Sequence, residues 1–494
     1  MPAASNERLL DVLYGGKPTA TALVVAEDGR RTMYRDLGDT VTMLAGQLSS
    51  LGVTRRSCVA MVIPNGPDFV QLLFALIALG GTAAPLNPAY KRDEYAFYLD
   101  DLQPELLLLP VGELQAAREA GNAVRIVDVV SRDNGPPALL GAETEAPFEE
   151  GQPDDIALLL HTSGTTSRPK QVPLLQRNLA ASSQTVSDFY GLGPADVSFA
   201  AMPLFHVHGL VASTFAALTS GGAVVVPRRF SARAFWPQAR RQRVTWFSAS
   251  PTLHRMILDR IDDEGPPPTL RFARSCSSAL SPELLRRLQE ALKVPILEAY
   301  GMTEASHQMT SNPLPPAKHL SGSVGIATGV EIRIVDDVGR DAPIGEVAIR
   351  GPGVTSGYLN NSQANEESFF DGWFRTGDRG SIDEEGYLRL EGRLKEMILR
   401  GGENISPYEI EDVLRAHPKV ADAVCFGVAD EKYGERVGAA VQLNGDVDER
   451  TLVTWCRERL AAFKVPEVIY VLDTIPRTPT GKVQRKRIAE QLTQ

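Results

Sequence analysis

Residues 162 to 170 read Thr162-Ser-Gly-Thr-Thr-Ser-Arg-Pro-Lys170. These residue types suit an anion. Gly164 lets the backbone approach without a Cβ in the way. The hydroxyls of Thr162, Ser163, Thr165 and Thr166, with backbone N–H groups, can donate to phosphate oxygens. Lys170 adds a full positive charge, and Arg168 adds another. The order is not G-x-x-x-x-G-K-[ST], so this is a different phosphate loop. An ordinary Ser/Thr/Gly turn after a strand is the plain alternative. The chemistry implied is the holding of a nucleoside triphosphate, ATP first among them.

Further residues able to do chemistry follow in order: Pro203-Leu-Phe-His-Val-His-Gly209, Tyr300-Gly-Met-Thr-Glu304, Thr376-Gly-Asp378, Gly392-Arg-Leu-Lys395 and Pro479-Thr-Gly-Lys482. Taken singly they say little. Asp378 could be a turn aspartate, Glu304 a surface acid, and Lys482 a solvated lysine before Arg485, Lys486 and Arg487. As an ordered set covering nearly the whole chain, they resemble the adenylate-forming superfamily. That superfamily contains acyl-CoA synthetases, firefly luciferase and the adenylation domains of peptide synthetases.

The resemblance implies attack of a carboxylate on the α-phosphate of ATP, release of pyrophosphate, and transfer of the acyl group to a thiol. Lys482 resembles the mobile catalytic lysine, a cation that relieves repulsion between two anions. Glu304 resembles the Mg²⁺ ligand, a hard carboxylate for a hard cation, with Thr165 beside it. Thr303 resembles the α-phosphate donor. Tyr300 resembles the residue stacked on adenine, within the nucleotide-binding stretch Glu298, Ala299, Tyr300 and Gly301. Ser277, Ser278 and Ala279 resemble the strand end beside that ring. Asp378 resembles the carboxylate that accepts the ribose hydroxyls, and Arg393 a further ribose or phosphate contact. Lys395 resembles the hinge on which a small domain swings between half-reactions. Gly401, Gly402 and Glu403 resemble the loop lining the CoA tunnel, although a plain turn would also explain the glycines.

For the acid, the wording of Thr166–Lys170, Phe205–Gly209 and Met302–His307 resembles the oxalate–CoA ligase branch. Oxalate keeps a second negative charge, so its pocket needs donors where a fatty-acid pocket is apolar. His206, His208, Ser275, Ser277 and His307 are the expected acid-site residues. His206 and His208 are read as neighbours on one side of an extended segment. His206 also matches the aromatic position that gates the acyl site. A His206–His208 metal site lacks a third ligand with convincing spacing. Short-chain, medium-chain or aromatic acids, a carrier-protein acceptor, and a nucleotide-binding regulator without catalysis all stay open. Most members of the family carry glycine after the loop's Pro-Lys, whereas this chain has Gln171, for which the sequence offers no reason.

Positioning such residues takes layered elements. Arg55–Ile63 reads as a strand, Pro67–Leu79 as a buried helix ending at Gly80-Gly81, and Ala83–Leu86 as a short strand. The strand Ile156–His161 feeds the phosphate loop. Ser281 caps a helix to Leu292, with Pro282 at its first position and Leu284, Leu285, Leu288 and Leu292 as its stripe. From about residue 331 to 390 the texture is strand-rich. Helix Tyr408–His417, strands Ala421–Val428 and Val437–Leu443, and helix Glu449–Leu460 suggest a small α+β unit. The expectation is an α/β protein. Its large N-terminal domain, residues 1–392, would hold layered α/β subdomains and a β-rich subdomain. A mobile α+β C-terminal domain would span residues 393–494.

Composition fits. The chain has 494 residues, 43% hydrophobic, with a net charge of -10. That charge argues against non-specific nucleic-acid binding. The apolar stretch from Phe69 to Leu86 is too broken to span a bilayer. Cys58, Cys276, Cys425 and Cys456 lack metal spacing and fit a reducing compartment, so the cytoplasm is expected. The expected partners are a small carboxylic acid, ATP with Mg²⁺, and CoA. The oligomeric state is left open.

Overall fold

A computed structural model describes residues 8–133, 135–143, 146–162, 169–400, 403–478 and 483–493. Apolar runs such as Leu106–Pro110, Ala223–Val226 and Cys58–Met61 form strands buried on both faces, as parallel sheets under helices require. A seven-stranded sheet places Cys58–Met61 between Leu106–Pro110 and Thr82–Pro85, and ends on the antiparallel pair Ile156–His161 and Gln171–Leu175. A nine-stranded sheet carries Val197–Phe199, Trp246–Ala249, Phe272–Ser275 and Ile296–Met302 as adjacent parallel strands. The strand His307–Ser311 turns back antiparallel against Ile296–Met302.

Between these sheets lies the largest apolar cluster. It joins Val59, Leu108 and Leu158 of one sheet to Val224, Trp246 and Phe272 of the other, through helices Pro67–Ala78 and Gln176–Phe189. The outer face of the nine-stranded sheet has its own cluster, where Phe247, Ala249 and Ala273 meet the helix Pro282–Leu292. That helix starts as expected: Ser281 Oγ accepts from Leu284 N at 3.4 Å, and the four expected leucines are buried. Such a cap contributes about 1 kcal/mol, and each buried leucine about 1.5–3 kcal/mol.

Strands Glu331–Val335, Gly345–Arg350, Trp373–Ile382 and Leu388–Arg393 belong to a third sheet. The chain then passes through a short 3-10 helix, Leu394–Glu396, into a fourth sheet. There Ile398–Arg400, Val420–Asp430 and Gly434–Leu443 pack with helices Pro407–Arg415 and Glu449–Arg457. The apolar clusters of this last part draw only on residues 398–492.

Candidate active site

The parallel strands of the nine-stranded sheet end together, and their carboxyl ends carry the candidate residues, the usual place for a ligand on an open α/β sheet. The seven-stranded sheet contributes the two strands that flank the candidate phosphate loop. Thr162 N donates to Lys170 O at 2.9 Å, and Lys170 N donates to Thr162 Oγ1 at 3.2 Å, closing the loop at its base. Ser163, Gly164, Thr165 and Thr166 lie outside the described residues, as do Gly401, Gly402 and Lys482. Glu403 opens the strand Glu403–Ile405.

Lys170 Nζ lies 4.3 Å from the centre of the Tyr358 ring, and Tyr358 Oη donates to Glu304 Oε1 at 2.9 Å. Burial, then the nearby Lys395, lowers the Lys170 ammonium below its usual value, with Glu304 opposing. Thr303 and Glu304 begin the 3-10 helix Thr303–Ala305, directly after the strand Ile296–Met302. Lys170, Tyr358, Glu304 and Lys395 therefore share one neighbourhood.

Tyr300 is buried and donates to Asp378 Oδ2, while Arg393 Nε stands 2.9 Å from Asp378 Oδ1. Strand register sets the second pair, since Asp378 and Arg393 are cross-strand partners. Burial, then the Asp378 charge, raises the Tyr300 phenol well above its usual value, so it stays a donor. Glu298 and Ala299 precede Tyr300 in the same strand, and the Glu298 carboxylate faces His319 Nε2 at 3.4 Å. Ser277, Ser278 and Ala279 stand exposed where Phe272–Ser275 ends. Ser277 has φ 77°, a strained backbone of the kind that collects at functional sites.

His208, 2% exposed, links two serines. Its Nδ1 lies 2.8 Å from Ser277 Oγ and its Nε2 lies 2.7 Å from Ser248 Oγ. The His307 ring stacks on it at 5.0 Å and 24°. Ser306 and His307 both have positive φ, 53° and 126°. Their sharp return strand runs so close that a Cβ on Gly301 would sit 1.9 Å from His307 O, so only glycine fits there. Burial, then the Arg274 charge, holds both imidazoles well below the usual histidine range, hence neutral at pH 7. His206 adds to the field on each of them.

The expected extended geometry of His206 and His208 is not what forms. His206 N donates to Pro203 O, Leu210 N donates to His206 O, and His208 starts the π-helix His208–Phe215. The cause is Gly209, whose missing Cβ would lie 2.2 Å from Pro203 O, so the segment coils tightly. Ser275 also stands apart from the other acid-site candidates. Alternation turns it to the face of Ala249 and Ala273, away from Ser248. Its buried hydroxyl has no hydrogen-bond partner among the described residues.

Four residues at this site escaped the sequence reading. Arg274 and Ser248, partners in adjacent strands, look like ordinary strand positions. Tyr358 lies in a Gly-rich loop, and Asp101 ends a surface helix, Arg92–Leu102. A polar residue inside an otherwise apolar strand was the available signal for Arg274. Among the described residues, no group of three His, Cys, Asp or Glu could cage a metal. The buried Glu304 carboxylate beside Lys170 fits Mg²⁺ that arrives on phosphates, since that ion takes one or two protein carboxylates and keeps the rest of its shell.

Residues 14–359 match the AMP-binding enzyme family, and residues 409–482 match the AMP-binding enzyme C-terminal domain. An oxalate–CoA ligase of Arabidopsis thaliana is 45% identical over 492 residues, 96% of each chain. One of Saccharomyces cerevisiae is 42% identical over 511 residues, covering 95% of this chain and 94% of that one. The solved ATP-bound MatB of Rhodopseudomonas palustris shares the fold with a TM-score of 0.90 at 29% identity, over 99% of both chains.

Proposed function

The chain belongs to the AMP-binding enzyme family, and on that premise we propose that it is an ATP-dependent acyl–CoA ligase whose acid is oxalate. The acid carboxylate attacks the α-phosphate of ATP, pyrophosphate leaves, and the CoA thiol then displaces AMP from the acyl-adenylate. Lys170 and the loop residues Thr162–Thr166 hold the β- and γ-phosphates. Asp378, oriented by Tyr300 and Arg393, accepts the ribose hydroxyls. Thr303 and Lys482 supply donors at the α-phosphate. Glu304, with Thr165, would hold Mg²⁺, which neutralises phosphate charge when bound. We assign ATP binding to residues 1–392 and the moving part to residues 393–494, pivoting at Lys395. The separate apolar clusters of residues 398–492 support that division. Glu403, with Gly401 and Gly402, would line the CoA path.

The observation that carries the choice of acid is the polar wall made by neutral His208, neutral His307 and Ser277. An alkyl tail there would keep the buried His307 Nε2, which has no hydrogen-bond partner among the described residues, unpaired at a cost of about 1–3 kcal/mol, and would offer nothing to the Ser277 hydroxyl. A compact acid with a second carboxylate would satisfy them. The identity to oxalate–CoA ligases supports the same acid.

Pyrophosphate release with oxalate, malonate, hexanoate and benzoate, with and without CoA, tests the assignment. Oxalate should give the highest kcat/KM, and a clear lead for hexanoate or benzoate would overturn it. A carrier-protein pantetheine offered beside CoA should be the poorer acceptor. Lys482→Ala should cut adenylate formation by about 10²–10³. We place the protein in the cytoplasm: its four cysteines are free, and among the described residues no helix is long and apolar enough to cross a membrane.

A further inference from the structure

Arg274 is fully buried, yet among the described residues no carboxylate pairs with it. Its acceptors are neutral oxygens: Tyr190 Oη at 3.0 Å, Gln308 Oε1 at 3.1 Å and Ser248 Oγ at 2.9 Å. Among the described residues its Nη2 has no hydrogen-bond partner, although the Cys276 thiol is close. A buried cation is ordinarily paired, or it is removed by selection for an apolar core. Here it persists two hydrogen bonds behind the His208 wall, joined to it through Ser248.

Donor and acceptor logic gives that position a consequence. A guanidinium only donates, so Ser248 Oγ must accept from Arg274 Nη1. Ser248 is itself fully buried, and its own hydrogen finds an acceptor in His208 Nε2 at 2.7 Å. Neutral His208 then carries its one hydrogen on Nδ1 and donates it to Ser277 Oγ at 2.8 Å. Ser277 is exposed at the strand end, so its hydroxyl hydrogen is left for whatever occupies the site. The opposite orientation would leave the Ser248 hydrogen buried without an acceptor.

We infer that Arg274 is a positioning and charge-selecting residue of the acid site: it polarises the Ser248–His208–Ser277 chain so that Ser277 is presented as a donor, and its unmatched charge favours an acid that brings a second anionic group. This rests on the reading of His208 and Ser277 as acid-site residues and extends it to a residue that touches no substrate. An alternative in which Arg274 only braces the core, through Tyr190 and Gln308, would affect every acid alike.

Pyrophosphate release by the full-length enzyme, with oxalate and with acetate, separates the two. Arg274→Met should lower kcat/KM for oxalate by about 10²-fold, chiefly through KM, and for acetate by less than about threefold. Arg274→Lys keeps the charge without the fork and should recover part of the loss. Ser248→Ala keeps Arg274 but cuts the chain, and should lower the oxalate-to-acetate ratio by about tenfold. Nitrogen NMR of His208 should show the hydrogen on Nδ1 in the wild type. Equal losses for both acids, an unchanged ratio in Ser248→Ala, or a hydrogen on Nε2 would each overturn the inference. If Arg274→Met does not fold, Arg274→Lys and Ser248→Ala decide. The wild-type ratio tests the substrate reading separately: preference for acetate would sink oxalate itself, whereas preference for oxalate with unmoved variants would sink only the role of Arg274.

Discussion

Gln171 is the residue the sequence leaves without a reason, and its neighbours supply one. Its amide donates to Asp101 O at 2.6 Å and to Asp101 Oδ2 at 2.7 Å. The same carboxylate oxygen lies 2.9 Å from His161 Nε2. His161 and Gln171 are cross-strand partners flanking the phosphate loop. One aspartate therefore clamps both strands that carry the loop, a task a glycine could not share. Gln171→Ala removes one arm of the clamp and leaves His161 as the other. A hydrogen bond to a charged group contributes about 1.5–3 kcal/mol. The KM for ATP should rise by roughly tenfold while that for the acid stays level. Steady-state kinetics in each substrate would show this, and an unmoved KM for ATP would refute the clamp. The chemistry proposed for the loop rests on residue types alone. The clamp was not legible in the sequence, because Asp101 is about 60 residues away and reads as the end of a surface helix.

At the scale of elements, periodicity and caps were good guides where side chains decide locally. The strand Ile156–His161 and the helix after Ser281 form where expected. The pattern misled at His206–His208, where a tight backbone contact at Gly209 overrides alternation. The passage between sheets at Leu394–Glu396 holds the proposed pivot between the two half-reactions. Lys395→Pro fixes φ at the proposed pivot. Pyrophosphate exchange should persist, while thioester formation falls by about tenfold or more; equal loss of both would remove Lys395 as a hinge. Arg485 ties the far side of this passage together. Its Nε lies 3.2 Å from Glu396, and its Nη1 donates to Glu411 and to Cys425 O. The last helix, Arg485–Leu492, is thereby held to the proposed hinge and to Pro407–Arg415. Arg485→Met would leave Glu411 with Arg415 but strip a buried charge network, at about 3–5 kcal/mol. Denaturant unfolding should show an early transition confined to residues 398–492, and a single unshifted transition would count against that coupling.

For the whole molecule, the layering follows from the strand order, and the proposed site rests on the motif order. What lies between the layers follows from neither, because contacts such as Arg274 with Tyr190 and Gln308 join segments that one sequence cannot assemble. Those contacts have a global consequence through histidine. His208, His254 and His307 are all buried, and burial lowers each below the ordinary value, His254 to about 4. Above about pH 6.5 both the folded and unfolded chains hold these rings neutral, and their burial costs nothing in protons. As pH falls below that value, the unfolded chain takes up protons that the fold refuses. Stability must then decrease, by about 1.4 kcal/mol per pH unit for each ring, until the folded group itself titrates. Three rings together give roughly 4 kcal/mol per unit between pH 6 and 5, a window above the range where carboxylates protonate. Urea unfolding at pH 7, 6 and 5 should show that slope. His254→Gln alters a ring that bonds the Arg274 backbone carbonyl at 2.9 Å rather than a serine of the acid wall, and should remove about one third of it. A stability that is flat between pH 6 and 5 would mean that these rings accept protons in the folded state, and would take with it the neutral His208 on which the polarity of the acid wall depends.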